Sequence, residues 1–218
     1  MTDALGARAW PDVGAPVVVV PVGSFEQHGP HLPLDTDTRV AAALASVLVA
    51  ARPVCVLGPT VGVTASGEHH GFPGTLSIGV ETTTAVLVEL ARSADWSAGV
   101  VFVNGHGGNA AALRQAADVL AGESRPALCW GPRVPGGDLH AGRTETSLML
   151  HLAPELVRLD LAVAGPRPPL AELVAHGVRA LSPSGVLGDP DGATANEGAT
   201  LFDTLAADLV ATVDRWLA

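Results

Sequence analysis

Directly behind the apolar run Val17 to Val22 comes Glu26-Gln27-His28-Gly29-Pro30-His31-Leu32-Pro33-Leu34-Asp35-Thr36-Asp37, a Gly/Pro-rich segment with two imidazoles and three carboxylates. Groups packed this densely are expensive to bury unless something cationic neutralises them. A fold built on this chain must therefore either leave the segment in water or gather it around positive charge. A divalent metal ion is the simplest such partner. Glu26 and His28 stand two residues apart, so in an extended segment both side chains point to the same side. Asp37 returns after a prolyl turn, at the start of a helix.

The bulk numbers are compatible with one α/β domain over residues 1–218, with 48% hydrophobic residues available for a core. A formal net charge of −10 argues against nucleic acid and against anionic membrane surfaces as partners. All twelve basic residues are arginine, which excludes a Schiff-base lysine and a phosphate-binding lysine of the P-loop kind. Tyrosine is absent too, so no phenol can act as an acid. Cys55 and Cys129 fall in expected strands and read as buried thiols. The N-terminus lacks a basic region followed by an apolar one, and no apolar run approaches the ~20 residues of a membrane span. The expectation is a soluble, cytoplasmic protein.

Taken in order, Val17 to Val22 suits a strand covered on both faces. Thr36 or Asp37 reads as the N-cap of a helix running to Ala51, and residues 53–57 as a second strand. A long loop, residues 58–79, carries Glu68-His69-His70 and Phe72-Pro73-Gly74-Thr75, and loops of that length are usually functional. A helix is expected over 81–92, a strand over 100–103, then Asn104-Gly105-His106-Gly107-Gly108-Asn109 and a helix to Ala121. Residues 127–130 form a fourth strand, followed by a loop to His140 and a helix over 144–152. Residues 154–190 read as an irregular flap or oligomer contact. The last helix, 197–217, lines up Leu201, Leu205, Leu209, Val213 and Trp216 on one face. Strands alternating with helices imply a three-layer α/β/α arrangement around a mostly parallel sheet. The polar clusters at Glu26, His106 and His140 each follow a strand and precede a helix. That is the edge of an open sheet where ligands bind.

Glu26, His28, Asp37, His106 and Glu145 form a ligand set of carboxylates and imidazoles without thiolate, suited to zinc, manganese or iron. With Asp37 as the bridge, it could hold two ions, lower the pKa of a bound water and polarise a carbonyl. The reaction class that follows is hydrolysis of an amide-type C–N bond. His140 lies five residues before Glu145 and reads as the proton carrier. Glu68, His69 and His70 either line the substrate entrance or support the ligands through hydrogen bonds. Asn104 and the glycines after it let backbone approach a substrate. His151 and His176 read as structural. A binding protein without catalysis is the reading from another class, and the absence of a basic patch weakens it.

Three motifs in order resemble the creatininase family of metal-dependent amidohydrolases. They are Glu26-x-His28-Gly-Pro-His-Leu-Pro-Leu-x-Thr-Asp37, Asn104-Gly-His106-Gly-Gly-Asn109 and His140-Ala-Gly-x-x-Glu145-Thr-Ser. The resemblance implies a creatininase-like fold, two divalent ions (zinc, iron or manganese) and commonly a homohexamer. It would place Glu26 and His106 on one ion and His28 on the other, with Asp37 bridging. Creatininase proper has His-Tyr-Glu-Asn where this chain has His106-Gly107-Gly108-Asn109, so Glu145 would replace the missing glutamate. It also carries a tryptophan shortly before the histidine matched by His140, and residues 131–139 have no aromatic. The tail from Ser182 to Pro190 resembles the mycofactocin-system branch. That branch cuts a modified C-terminal, Val–Tyr-derived dipeptide from a small ribosomal precursor peptide. The alternative substrate is a small cyclic amide or formamide.

Overall fold

The computed structural model describes residues 4–218. Four strands, β1 (Val17–Val22), β2 (Cys55–Leu57), β3 (Gly99–Asn104) and β4 (Ala127–Trp130), form a parallel sheet in the order β2-β1-β3-β4. The helices are α1 (Thr36–Ala51), α2 (Gly79–Ser93), α3 (Ala110–Gly122), α4 (Arg143–Leu152), α5 (Leu170–His176), α6 (Val178–Leu181) and α7 (Ala195–Leu217).

Strand alternation divides the core into two layers. Val17, Val19, Val101, Val103 and Trp130 face α1, α4 and α7, where they meet Leu44, Leu48, Leu148, Leu205 and Leu209. Val18, Val20, Val22, Val100 and Phe102 face α2 and α3, against Leu87, Leu113 and Leu120. Both faces of β1 and β3 are buried, which is why these strands read as continuous apolar runs rather than alternating ones. The three-layer α/β/α expectation holds.

Register then places the loops. Val22 pairs with Asn104 and Val103 with Trp130, so the segments leaving β1, β3 and β4 emerge side by side at the carboxyl edge. The tail after α6 closes on the same edge. Leu139 and His140 donate through their N–H groups to the Leu187 carbonyl at 3.2 and 3.3 Å, and Leu187 N–H donates to the His140 carbonyl at 2.9 Å.

Several expectations need correction. Asp35, not Thr36 or Asp37, occupies the N-cap of α1, and no side chain caps it. Thr36 instead bonds the Pro33 carbonyl and Asp37 turns into the site. Residues 154–190 are not wholly irregular, since they hold α5 and α6. On α7, Phe202 belongs to the buried face, whereas Leu201 and Trp216 pack only at its margin. His151 and His176 are exposed, His151 lying beside the Phe202 ring with centroids 5.6 Å apart.

Helix α7 braces α4, the helix that carries Glu145. Thr194 caps α7 by accepting from Glu197 N–H at 3.1 Å, and the Glu197 carboxylate holds Arg143 and Ser147 of α4. A β-carbon at Gly198 would fall 1.8 Å from the Ser147 carbonyl oxygen. Gly198→Ala is therefore expected to lower stability by about 1–3 kcal/mol through overpacking, even though alanine is the better helix former. Denaturant unfolding checks this, and an unchanged or raised midpoint would show that α4 and α7 have room to separate.

Candidate metal centre

Five segments deliver the site. Glu26 and His28 come from the loop after β1, Asp37 from the first turn of α1, and His106 from the loop after β3. His140 ends the loop after β4, and Glu145 sits in the first turn of α4. Donor atoms of Glu26, Asp37 and His106 lie within 4.8 Å of one another, as do those of His28, Asp37 and Glu145. Asp37 is common to the two sets. Glu26, His28 and His140 form a third group of the same span.

The Asp37 carboxylate is the hub. Its Oδ1 lies 3.3 Å from His28 Nε2 and its Oδ2 3.0 Å from His106 Nδ1, while the buried Ser24 hydroxyl donates to Oδ2 at 2.8 Å. Main-chain carbonyls orient both rings from behind. His28 Nδ1–H donates to the Glu26 carbonyl at 3.1 Å, and His106 Nε2–H to the Ala65 carbonyl at 3.0 Å. Each ring therefore turns its second nitrogen on Asp37. A lone pair facing a carboxylate is repulsive, so a proton or a cation has to lie between them. Tethering a ligand histidine through its other nitrogen is how metal sites fix tautomer and ring orientation.

Glu26 makes the need for a cation plainest. It is fully buried, and neither carboxylate oxygen receives a hydrogen bond from the described residues. Its neighbours are imidazole nitrogens: His106 Nε2 at 3.2 Å from Oε2, His69 Nε2 at 3.2 Å and His140 Nδ1 at 3.8 Å from Oε1. Divalent metal ions fit this donor set of buried carboxylate and imidazole, and the second set around His28 and Glu145 has the same chemistry.

The electrostatics agree. Burial pushes the Glu26 carboxyl up to about 7, with Asp37 adding to the rise, and burial likewise pushes Glu145 up to about 7. Burial also opposes ionisation of His28 and Asp37, but their attraction wins. His28 rises to about 9 and Asp37 falls well below the usual carboxylate range. Burial, reinforced by the charge on His28, holds His140 well below the ordinary imidazole range, and burial lowers His69 to about 3.

Glu68, His70 and Asn104 are the residues expected from the sequence to meet a substrate. The short turn Gly67–His69 points His69 inward and leaves His70 exposed, so His69 is the histidine of that pair that reaches the centre. Asn104 is committed to its own loop: its amide nitrogen donates to the His106 carbonyl at 2.7 Å, and its oxygen accepts from Asn109 at 3.0 Å. The oxygen also accepts from His106 N–H at 3.3 Å and is thereby filled, while the nitrogen keeps a second hydrogen. Glu68 Oε1 lies 3.3 Å from His106 Nε2, in space that a side chain at position 108 would take. His31, buried, meets the Thr146 hydroxyl at 2.9 Å and so ties the first loop to α4.

A family model described as "Creatininase: Creatinine amidohydrolase" matches residues 7–213. The chain is 49% identical over 218 residues to a mycofactocin precursor peptide peptidase of Mycobacterium tuberculosis (strain CDC 1551 / Oshkosh), covering 93% of this chain and 86% of that one. It is 50% identical over 212 residues to a protein of the same name from Mycolicibacterium smegmatis (strain ATCC 700084 / mc(2)155), covering 92% and 85%. A solved structure titled "Creatininase Mn" superimposes with a TM-score of 0.82 over 99% of this chain and 98% of that one, at 22% identity. That last likeness shows a shared fold.

Glu26 generates a prediction with opposite signs in two states. With metal removed, Glu26→Gln takes away a buried, unbonded charge and is expected to raise stability by about 1–3 kcal/mol. With metal present, the variant is expected to bind less of it and to lose most of the stabilisation that binding gives the wild type. Thermal melts with and without zinc, alongside elemental analysis, read both effects. A variant that loads metal like the wild type would remove Glu26 from the ligand set.

Proposed function

The chain belongs to the creatininase family of metal-dependent amidohydrolases, and from this premise we propose that it is a peptidase acting on a small mycofactocin-type precursor peptide. The observation that carries the reading is near-50% identity across almost the whole chain to peptidases of that name. The two overlapping donor sets that share Asp37 support it. The resemblance of the tail extends the proposal to release of the Val–Tyr-derived C-terminal dipeptide.

In this reading Glu26, Asp37 and His106 would hold one ion, and His28, Asp37 and Glu145 a second, with zinc, iron or manganese each compatible with the donors. Such ions would supply Lewis acidity toward the amide carbonyl and a water of lowered pKa. His69 and His140 are both buried imidazoles beside Glu26 and outside the two donor sets around Asp37. His140 is assigned the proton transfer to the departing amine because it is the one that groups with Glu26 and His28, its ring centroid 4.3 Å from that of His28. His69 lies against the His140 ring at 4.3 Å, so water has little access from that side. The proposal includes a cytoplasmic homohexamer, for which the exposed Leu159, Leu161, Leu170 and Val174 offer assembly surface. No helix among the described residues is long and apolar enough to cross a membrane.

The family description also admits a second reading, hydrolysis of a small cyclic amide. Against creatinine itself stands the loop before His140, residues 131–139, which offers no aromatic surface for a flat ring.

The deciding measurement incubates zinc- or iron-loaded protein with the modified precursor and follows products by mass spectrometry. Release of the C-terminal dipeptide is expected, with loss of turnover on chelation. His140→Ala is expected to lower kcat by about 10²–10⁴-fold while still taking up metal. Faster turnover of a cyclic amide than of the peptide would transfer the assignment to the second reading.

A further inference from the structure

Gln27 lies between two residues of the donor sets and is as deeply buried as they are, though a carboxamide is a poor metal ligand. Its hydrogen bonds can be assigned from the groups around it. Gly29 N–H donates to Gln27 Oε1 at 2.9 Å, and the Gly185 carbonyl accepts from Nε2 at 3.2 Å. These two main-chain groups fix which end of the amide is nitrogen.

Nε2 then donates to His69 Nδ1 at 2.8 Å. An accepting Nδ1 leaves the single proton of the neutral ring on Nε2, which stands 3.2 Å from Glu26 Oε1. The main-chain oxygen of Gln27 lies 2.7 Å from His140 Nε2. A carbonyl can only accept, so that nitrogen bears the proton, and a bare Nδ1 faces Glu26 Oε1 at 3.8 Å. With both amide hydrogens engaged by His69 and Gly185, the 3.1 Å approach of Gln27 Nε2 to His140 Nε2 is a contact and not a further bond.

We infer that Gln27 is a positioning residue that places the protons on both His69 and His140, so that the centre meets one ring as a donor and the other as a bare nitrogen. The inference rests on the assignment of His140 as proton carrier, which requires that open nitrogen. It also gives the tail a task. A β-carbon at Gly185 would fall 1.8 Å from Gln27 Oε1, so a glycine there lets the chain press its carbonyl onto the carboxamide. The neighbouring Leu187 bonds the His140 main chain from the same segment.

Long-range proton–nitrogen NMR on full-length protein with ¹⁵N-labelled histidine reads the tautomers directly, in the metal-free and the zinc-loaded form. In the wild type, both His69 and His140 are expected to carry the proton on Nε2. Gln27→Glu replaces the donor with an acceptor, so His69 is expected to move its proton to Nδ1 while His140 is unchanged. Gln27→Met keeps the shape without either polar atom and should leave His69 in a mixture of tautomers. It keeps the test open if the glutamate variant folds poorly. Both variants are expected to lower kcat on the peptide by about 10–100-fold with KM unchanged. A wild-type His140 protonated on Nδ1, or a His69 unmoved in both variants, would overturn the inference. The expected tautomers in a wild type that cleaves no peptide would support the proton placement and remove the peptidase reading.

Discussion

Asp37 and Glu26 place two buried carboxylates within 4.8 Å of a common neighbour. Two like charges 4 Å apart repel by about 4 kcal/mol even at an effective dielectric constant near 20. Exposed ion pairs such as Arg52–Asp214 are worth about 0–1 kcal/mol and cannot offset that cost. The pocket has to be neutralised from within. No arginine contacts Glu26, Asp37 or Glu145 among the described ion pairs; imidazoles do. Their nitrogens lie where protons or divalent ions can sit between the carboxylates. The placement of the loops and the bracing of α4 by α7 serve to hold that arrangement.

Much of the scaffold was legible because local and tertiary demands coincide. The run Val17 to Val22 is apolar at every position since the sheet is covered on both faces, and the Ala/Leu/Val pattern after Asp37 becomes α1. Parallel pairing brings the loops behind β1 and β3 together at Val22 and Asn104, so the alternation of strand and helix sufficed to place their histidines at one edge. Finer choices were not legible. In Glu68-His69-His70, a single turn decides which imidazole faces inward, and adjacent residues of one type carry no mark of that rotation. The partners that engage most of Asn104, the His106 main chain and Asn109, meet it only once the loop closes. Phe202 escaped the helical-face reading because α7 packs on both α1 and α4, whose combined surface is broader than one stripe.

The tail was recognisable as a motif before its role could be seen. Val186 and Leu187 are fully buried, and the strand-like bridge from Leu187 to His140 joins positions 47 residues apart in sequence. Nothing in local propensity marks such a contact. What the sequence does carry is a cluster of glycine and small residues, and close main-chain approach to Gln27 is the reason one of them has no side chain.

Carboxylates and imidazoles reach the centre by different routes, and the difference is physical. Asp37 and Glu145 both stand in the first turn of a helix, where unpaired N–H groups and the helix dipole favour negative charge. Ala141 N–H, just before α4, donates to Glu145 Oε2 at 2.6 Å in that setting. The imidazoles His28, His106 and His140 come from loops, where main-chain carbonyls unpaired by helix or sheet remain free to take one ring N–H each: those of Glu26, Ala65 and Gln27. Glu26 has neither kind of support. It sits on a loop, away from a helix start, and its oxygens go without hydrogen bonds. A carboxylate left so exposed to the cost of burial is the position at which a bound cation gains most, and Asp37, shared by both donor sets, ties that position to the second one.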